Sequence, residues 1–242
     1  SIKVISGLIT EARLNISREG IKIIEMSPAN VGMAIWQLLP SACVEYEAMP
    51  APDDATGDNG FSIGINLNSL LNILKNAKKS DILILSLDAD SENIGDKPSQ
   101  NLNISLKGSI IRNYTLPLID LSDMQETKIL NLEFKAKVKM LSKSFSDAVK
   151  EAGIIAESVV FEAINPEQKP KQTPFTISAK GDFNKLDIPF REDENTKIEG
   201  GAKSKYSIEY LKKMCAAKYL SDEVMLEFGT DYPLRLTYRQ VD

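Results

Sequence analysis

The stretch Leu67-Asn68-Ser69-Leu70-Leu71-Asn72-Ile73-Leu74-Lys75-Asn76-Ala77-Lys78-Lys79-Ser80-Asp81-Ile82-Leu83-Ile84-Leu85 reads as an amphipathic helix that runs through Ser-Asp into a strand. Leu67, Leu70, Leu71 and Leu74 share one helical face, and Asn68, Asn72, Lys75 and Lys79 share another. Near the other end, Tyr206-Ser207-Ile208-Glu209-Tyr210-Leu211-Lys212-Lys213-Met214, followed by Ser221-Asp222-Glu223-Val224-Met225-Leu226-Glu227-Phe228, repeats the plan. Two such units point to a duplicated domain, which is a way to build a symmetric surface. Function is expected on that surface rather than in a catalytic residue.

Period-two alternation dominates the rest. Leu14 and Ile16 alternate with Arg13, Asn15 and Ser17, and after Glu19-Gly20 the residues Ile21, Ile23 and Met26 continue as a hairpin. Further strands read at 33–38, 61–65, 82–87, 102–106, 110–116, 158–163, 175–179, 185–190, 223–228 and 234–239; Phe134, Ala136, Val138 and Met140 alternate with three lysines. Helices are few: 67–78, then 142–152 with Ser142 as cap, then one after Ser207, and the last turns of a fourth at 2–9. In the second of these, Phe145, Ala148, Val149 and Ala152 face inward and Lys143, Ser146 and Lys150 outward. Segments 48–60 and 88–99 read as loops, and 117–131, without a steady period, as an extended connector. The expectation is an α+β fold of two similar domains of antiparallel sheets with short helices: residues 1–118, a connector at 119–132, and residues 133–242.

Composition excludes several chemistries. The 242 residues contain no histidine, which removes Ser-His-Asp and Cys-His nucleophile arrangements and the usual nitrogen ligand of zinc. No phosphate-binding Gly-Lys-Ser/Thr loop and no Gly-x-Gly-x-x-Gly turn occurs. Asp88-Ala89-Asp90-Ser91-Glu92 begins like a calcium loop, but Asn93 stands where glycine belongs and Ser99 where the closing glutamate belongs. No cofactor and no metal is expected, and enzyme is the less favoured class. Cys43 and Cys215 sit among apolar neighbours and read as buried, reduced thiols; three sequons, at Asn15, Asn103 and Asn113, fall inside predicted strands and read as chance. No apolar run approaches the ~20 residues of a membrane span.

Net charge is −5, against indiscriminate nucleic-acid binding, but its distribution is uneven. Lys75, Lys78, Lys79, Lys143, Lys150, Lys212 and Lys213 sit on helix faces or just beyond them, while acid collects in loops. Lysines on short helices, without interleaved aromatics or forked arginines, suit loose contact with a phosphate backbone and no reading of sequence. Plain solvated helix faces fit the same pattern, and the residues alone leave both readings open.

Several ordered motifs carry a resemblance: Glu19-Gly20-Ile21 leading to Met26-Ser27-Pro28-Ala29-Asn30-Val31; Phe61-Ser62-Ile63-Gly64-Ile65-Asn66-Leu67; Leu116-Pro117-Leu118-Ile119-Asp120-Leu121; Leu132-Glu133-Phe134-Lys135-Ala136-Lys137-Val138; Lys205-Tyr206-Ser207; and Tyr232-Pro233-Leu234-Arg235-Leu236. Over nearly the whole chain they resemble the DNA sliding clamps of archaea and eukaryotes, the proliferating cell nuclear antigen family, with archaeal members nearest. The resemblance implies a ring of three subunits around duplex DNA, identical or different, that tethers DNA polymerase, flap endonuclease and DNA ligase and is opened by a clamp loader. It implies a channel site in which Arg112 joins the lysines above, with Asn72, Asp147 and Glu209 where relatives often carry base. It implies a partner pocket of Met26, Met33, Ile129, Pro233 and Leu234, which receives a motif of glutamine, an aliphatic and paired aromatics; Thr127 and Lys128 depart from the apolar residue common before Ile129. Ring closure is expected through edge strands at 109–116 and 175–182, with Arg112, Tyr114, Phe175, Ile177 and Ala179 at the subunit interface. Family members also carry a strand and most of a helix ahead of the position of Ser1, and a closing strand with a pocket aromatic and an Ala-Pro-Lys/Arg tail beyond that of Asp242. The implied location is the nucleoid-associated cytoplasm of an archaeal cell or a eukaryotic nucleus. The alternative is a clamp-like checkpoint or scaffold subunit that binds partners without encircling DNA alone; a carboxylate-dependent enzyme is a weaker third.

Overall fold

Alternating apolar residues become antiparallel sheets in both halves of the chain, because each strand turns one face to a core and one to water. The computed structural model describes residues 1–48, 60–87, 100–124, 126–129, 131–165 and 172–240, and the chain divides into two compact units, Ile2–Ile129 and Leu130–Asp242. The calcium-like run at 88–92 and most of the two long predicted loops lie outside the described residues.

In the first unit, α1 (Ile2–Ile5) leads into β1 (Glu11–Ser17), β2 (Gly20–Met26) and β3 (Met33–Leu38). After these come β4 (Phe61–Asn66), α2 (Leu67–Leu74), β5 (Ile82–Leu87), β6 (Asn101–Lys107) and β7 (Ile111–Pro117). They form two sheets, ordered β3-β2-β1-β4 and β5-β6-β7. Gly20, at φ 118°, closes the first hairpin in a conformation that L side chains rarely adopt. Ile23, Ile65, Leu67, Ile104 and Leu70 fill the core. By contrast Ile82, Leu83, Ile84 and Leu85 are exposed on β5, which among the described residues pairs with β6 alone.

In the second unit, β8 (Ala136–Leu141), α3 (Ser142–Ile155) and β9 (Ser158–Ala163) are followed by β10 (Phe175–Lys180) and β11 (Lys185–Phe190). Then come β12 (Lys197–Gly200), β13 (Ala202–Ser207), α4 (Ile208–Met214), β14 (Glu223–Phe228) and β15 (Arg235–Tyr238). The sheets are β11-β10-β9-β13 and β12-β8-β14-β15. Each helix carries the chain from one sheet to the other: β8-α3-β9 and β13-α4-β14, with β8 paired to β14 and β9 to β13. The segment β4-α2-β5 repeats that plan in the first unit. Phe161 sits at the centre of this core, edge-on to Phe145 at 5.9 Å, Phe175 at 6.0 Å and Phe228 at 6.2 Å, all four fully buried. The fold is α+β with two similar units of antiparallel sheet and short helices.

Local departures from the sequence expectation have identifiable causes. The helix expected over 67–78 stops at Leu74, because Asp81 accepts the Lys78 amide (2.9 Å) and draws the chain into a turn. Ser142 does not cap α3 by its side chain; it is the buried first helical residue, its amide donating to the Asp222 carbonyl at 2.8 Å. Ser146, expected outward, is buried. Strands β12 and β13 escaped the pattern because their inward residues include Ala202 and Ser204 and a Gly-Gly pair joins them. Cys43 is half-buried rather than buried, whereas burial pushes the Cys215 thiol up to about 12. Iodoacetamide at pH 8 should therefore alkylate Cys43 in the native protein and Cys215 only in denaturant. Native labelling of both at similar rates, read by peptide mass, would contradict the packing around Cys215.

Candidate nucleic-acid and partner interface

The first basic face follows from how α2 is anchored. Asn66 caps it, its Oδ1 accepting the Ser69 amide at 3.0 Å, and Leu67 and Leu70 are driven into the core. The opposite side is then left to water and carries Asn68, Asn72 and Lys75, with Lys78 and Lys79 exposed in the following turn. Lys75 Nζ lies 3.4 Å from Asn72 Oδ1, and none of the three lysines enters an ion pair among the described residues.

In the second unit, α3 buries Phe145, Ala148, Val149 and Ala152. Its outward stripe runs Lys143, Asp147, Lys150, Glu151, Ile154, so cations and carboxylates alternate. Lys143 and Lys150 are exposed and unpaired among the described residues. On α4, Lys212 lies across α3 where Gly153 leaves room, its Nζ 2.5 Å from the place a Cβ would take. Lys213 is spent locally, donating to Glu209 at 2.9 Å and lying over the Tyr210 ring. At the surface such a pair is screened by water and adds little to stability.

Arg112 drops out of the free cations. Its guanidinium pairs with Asp81 and donates to the Asn76 carbonyl at 2.7 Å, clipping the turn after α2 to β7. The Lys78 amide bonded to the Asp81 carboxylate, with Arg112 beside it, holds that carboxyl below its ordinary value of 3.8 against the opposing effect of desolvation.

The partner-site residues divide between the units. Met26 and Met33 are cross-strand neighbours on β2 and β3, both half-buried, and Ile129 is exposed in the same unit. Pro233 is exposed and Leu234 half-buried in the second unit, just ahead of β15. Sequence reading missed the side chains that hold the segment after β7: Arg13 Nη2 donates to the carbonyls of Leu121 (3.4 Å) and Met124 (3.0 Å). Buried Glu25 accepts the Arg13 amide (2.9 Å) and the Thr127 hydroxyl (3.4 Å). A signal was present, since Glu25 continues the inward run Ile21, Ile23.

One expectation is overturned. Phe175, Ile177 and Ala179 cannot form a subunit edge, because β10 is hydrogen-bonded on both sides, to β9 and β11, and all three side chains are buried. The end strands of that sheet are β11 and β13. Next to β11 the hairpin tip presents Phe183, 99% exposed, and Gly181 abuts the Ile155 carbonyl at the end of α3, where Ile154 is also exposed. In the first unit β7 is an edge, with Ile110 and Ile111 exposed and Tyr114 half-buried against the core.

No group of three or more metal-ligating side chains gathers among the described residues, and no helix there is long and apolar enough to cross a membrane. The family model for the proliferating cell nuclear antigen N-terminal domain matches residues 2–127. The DNA polymerase sliding clamp of Nanoarchaeum equitans is 29% identical over 100% of this chain and 89% of its own, and that of Thermococcus gammatolerans 33% identical over 98% and 86%. Among solved structures, A. fulgidus PCNA bound to the C-terminal region of FEN-1 superposes with a TM-score of 0.81, at 27% identity over 99% of this chain and 87% of the other. The PCNA2–PCNA3 complex of Sulfolobus tokodaii superposes at 0.78, at 26% identity over 99% and 88%. The likenesses put the fold among the DNA clamps. The chain belongs to the proliferating cell nuclear antigen family.

The Asp81 clip has a pH signature. Because its folded pKa is lowered, its contribution to stability is present above 3.8 and is lost as pH falls through the folded value. Asp81→Asn should lower the urea midpoint of the first unit at pH 7, read by fluorescence of Trp36, the single tryptophan. The gap from the unaltered protein should close in acid, and a gap unchanged below pH 3.8 would show that charge is not its cause.

Proposed function

We propose that the chain is a subunit of a DNA sliding clamp that encircles duplex DNA and tethers DNA polymerase and other replication and repair enzymes. The observation that carries this reading is the pairing of whole-length similarity to DNA polymerase sliding clamps with helices whose buried faces force lysines outward in both units. Its work is binding rather than bond-making: phosphates are met by Lys75, Lys78, Lys79, Lys143, Lys150 and Lys212, without base contacts. Partners are duplex DNA, polymerase, flap endonuclease, ligase and the clamp loader, and the place of action is the chromosome, in the cytoplasm of an archaeal cell. Peptide docking uses Met26, Met33, Ile129, Pro233 and Leu234 around a connector formed by residues 119–132, which joins domains at 1–118 and 133–242.

Assembly into a trimer, of identical or sibling chains, is assigned to the edges β7 and β11. An antiparallel pairing there satisfies two rows of unpaired backbone groups and covers Ile111 and Phe183, which single subunits leave in water. Phe183→Asp with Ile111→Asp should shift the mass measured by light scattering toward the monomer at micromolar concentration; an unchanged mass would exclude these edges.

A second reading, a scaffold subunit that needs siblings to hold DNA, draws on the alternating stripe Lys143, Asp147, Lys150, Glu151 and on the neutralisation of Lys213 and Arg112. One experiment separates the two. The clamp should be retained on closed circular DNA and slide off linear DNA. Lys75→Glu, Lys150→Glu and Lys212→Glu together should weaken retention at unchanged mass. The salt slope should fall by about 0.9 for each phosphate that no longer meets a lysine. Retention equal to that of the unaltered protein would rule out the lysine faces as the DNA-facing surface.

A further inference from the structure

The first unit's main sheet is open at one point, and a buried charge fills the opening. The β1–β2 ladder runs from Ser17↔Gly20 to Leu14↔Ile23 and stops there, although β1 continues to Glu11 and β2 to Met26. The Arg13 amide, left without a ladder partner, donates instead to the carboxylate of Glu25, 7% exposed. The other Glu25 oxygen accepts from Thr127, 102 residues away in the connector. On the neighbouring ladder Gly64 bridges to Ile119, whose amide donates to the Gly64 carbonyl at 2.8 Å. A Cβ at Gly64 would meet the Ile119 carbonyl oxygen at 2.6 Å, so only glycine allows that approach. Arg13, the Cα partner of Gly64, reaches two further carbonyls, those of Leu121 and Met124.

The connector is therefore stitched to the sheet at 119, 121, 124 and 127, and the last three of those stitches depend on a cation and a carboxylate from β1 and β2. The geometry points to Arg13 and Glu25 as positioning residues for partner docking: they hold the segment at Leu121, Met124 and Thr127 in the place a partner peptide must meet, and so set its affinity without contacting it. This rests on the clamp reading above, in which the peptide docks beside Met26, Met33 and Ile129. Two features favour a built device over incidental packing. A buried carboxylate is retained only where donors satisfy it, and here one donor is the connector itself. A single guanidinium nitrogen, Nη2, donates to both carbonyls, of Leu121 and Met124, so one side chain from β1 holds two points of the segment at once. A connector pre-ordered in this way saves the peptide the entropy of ordering it.

The test uses the full chain, a fluorescein-labelled peptide bearing glutamine, an aliphatic and two adjacent aromatics, and three variants: Arg13→Met, Arg13→Lys and Thr127→Val. Thr127→Val is the mild variant, since it removes one hydroxyl and leaves the β1–β2 region otherwise intact. Arg13→Met should speed amide exchange over residues 119–127, leave β5–β7 unchanged, and weaken the peptide by about ten-fold, the scale of one charge-assisted hydrogen bond. Arg13→Lys and Thr127→Val should fall between, with exchange and affinity moving in step at constant assembly mass. Faster exchange with unchanged affinity would overturn the positioning role, and unchanged exchange would overturn the anchor itself. Failure of the unaltered protein to bind the peptide is visible before any variant is compared; it would reject the partner site of the clamp reading, and this proposal with it.

Discussion

Burial of one face of each short helix against antiparallel strands is the constraint on which the rest of the molecule depends. α3 places Phe145, Ala148, Val149 and Ala152 in a core centred on Phe161, and this alone decides that Lys143, Asp147 and Lys150 face water. Truncating a phenylalanine in such a core costs about 3–5 kcal/mol, whereas the Lys213–Glu209 pair lies in water, where charges are screened. The charged face is thus a consequence of the apolar one. Its composition can vary at little cost in stability, which leaves it free to be set by what the protein meets.

Strand edges impose the second constraint. Antiparallel sheets closed by neither a barrel nor a helix leave rows of unpaired amides and carbonyls on their end strands, and among the described residues β7 and β11 are two of these. The contrast within one sheet is instructive. β10 reads in sequence like an ideal edge, with Phe175, Ile177 and Ala179 in strict alternation, yet it lies inside, while β11 with Leu186, Ile188 and Phe190 lies outside and keeps those side chains half-buried. Alternation reports that one face is buried; it carries no information on whether the backbone of a strand has one neighbour or two. Assembly therefore has to be argued from strand order.

That distinction marks where sequence reading succeeded and where it stopped. The strands β1 to β11, the fold class and the outward lysines were legible, because all follow from a period of 2 or 3.6 in apolar residues. β12 and β13 were not, since Gly200, Gly201, Ala202 and Ser204 supply no apolar contrast, and the early end of α2 was not, since it depends on a side chain of Asp81 bonding back to the Lys78 amide. The free lysines could be named from sequence, but their pairing could not: Lys212 and Lys213 are adjacent, and only one of them is held by Glu209. Least legible was the Arg13–Glu25 arrangement, which ties β1 and β2 to Leu121, Met124 and Thr127 far along the chain. Its trace was a single carboxylate at an inward position, a local violation of pattern with no local explanation.

A sparse set of unpaired lysines on a net-negative chain is consistent with the proposed task rather than an obstacle to it. A ring retained by topology needs no high affinity for the duplex, and each tightly bound phosphate would add friction to sliding. A chain with net charge −5 repels DNA at long range once salt screening is weak, so under the proposed reading approach is delivered by another agent, such as a loader, and the unpaired lysines act only at contact distance. The acidic loop around Glu192, Asp193 and Glu194 contributes to that repulsion, and Asp193 is held charged by the Asn195 amide. In the proposed ring, raising the charge of the lysine faces and lowering loop charge are then not equivalent changes: the first would alter contact inside the closed ring, the second encounter with DNA before closure.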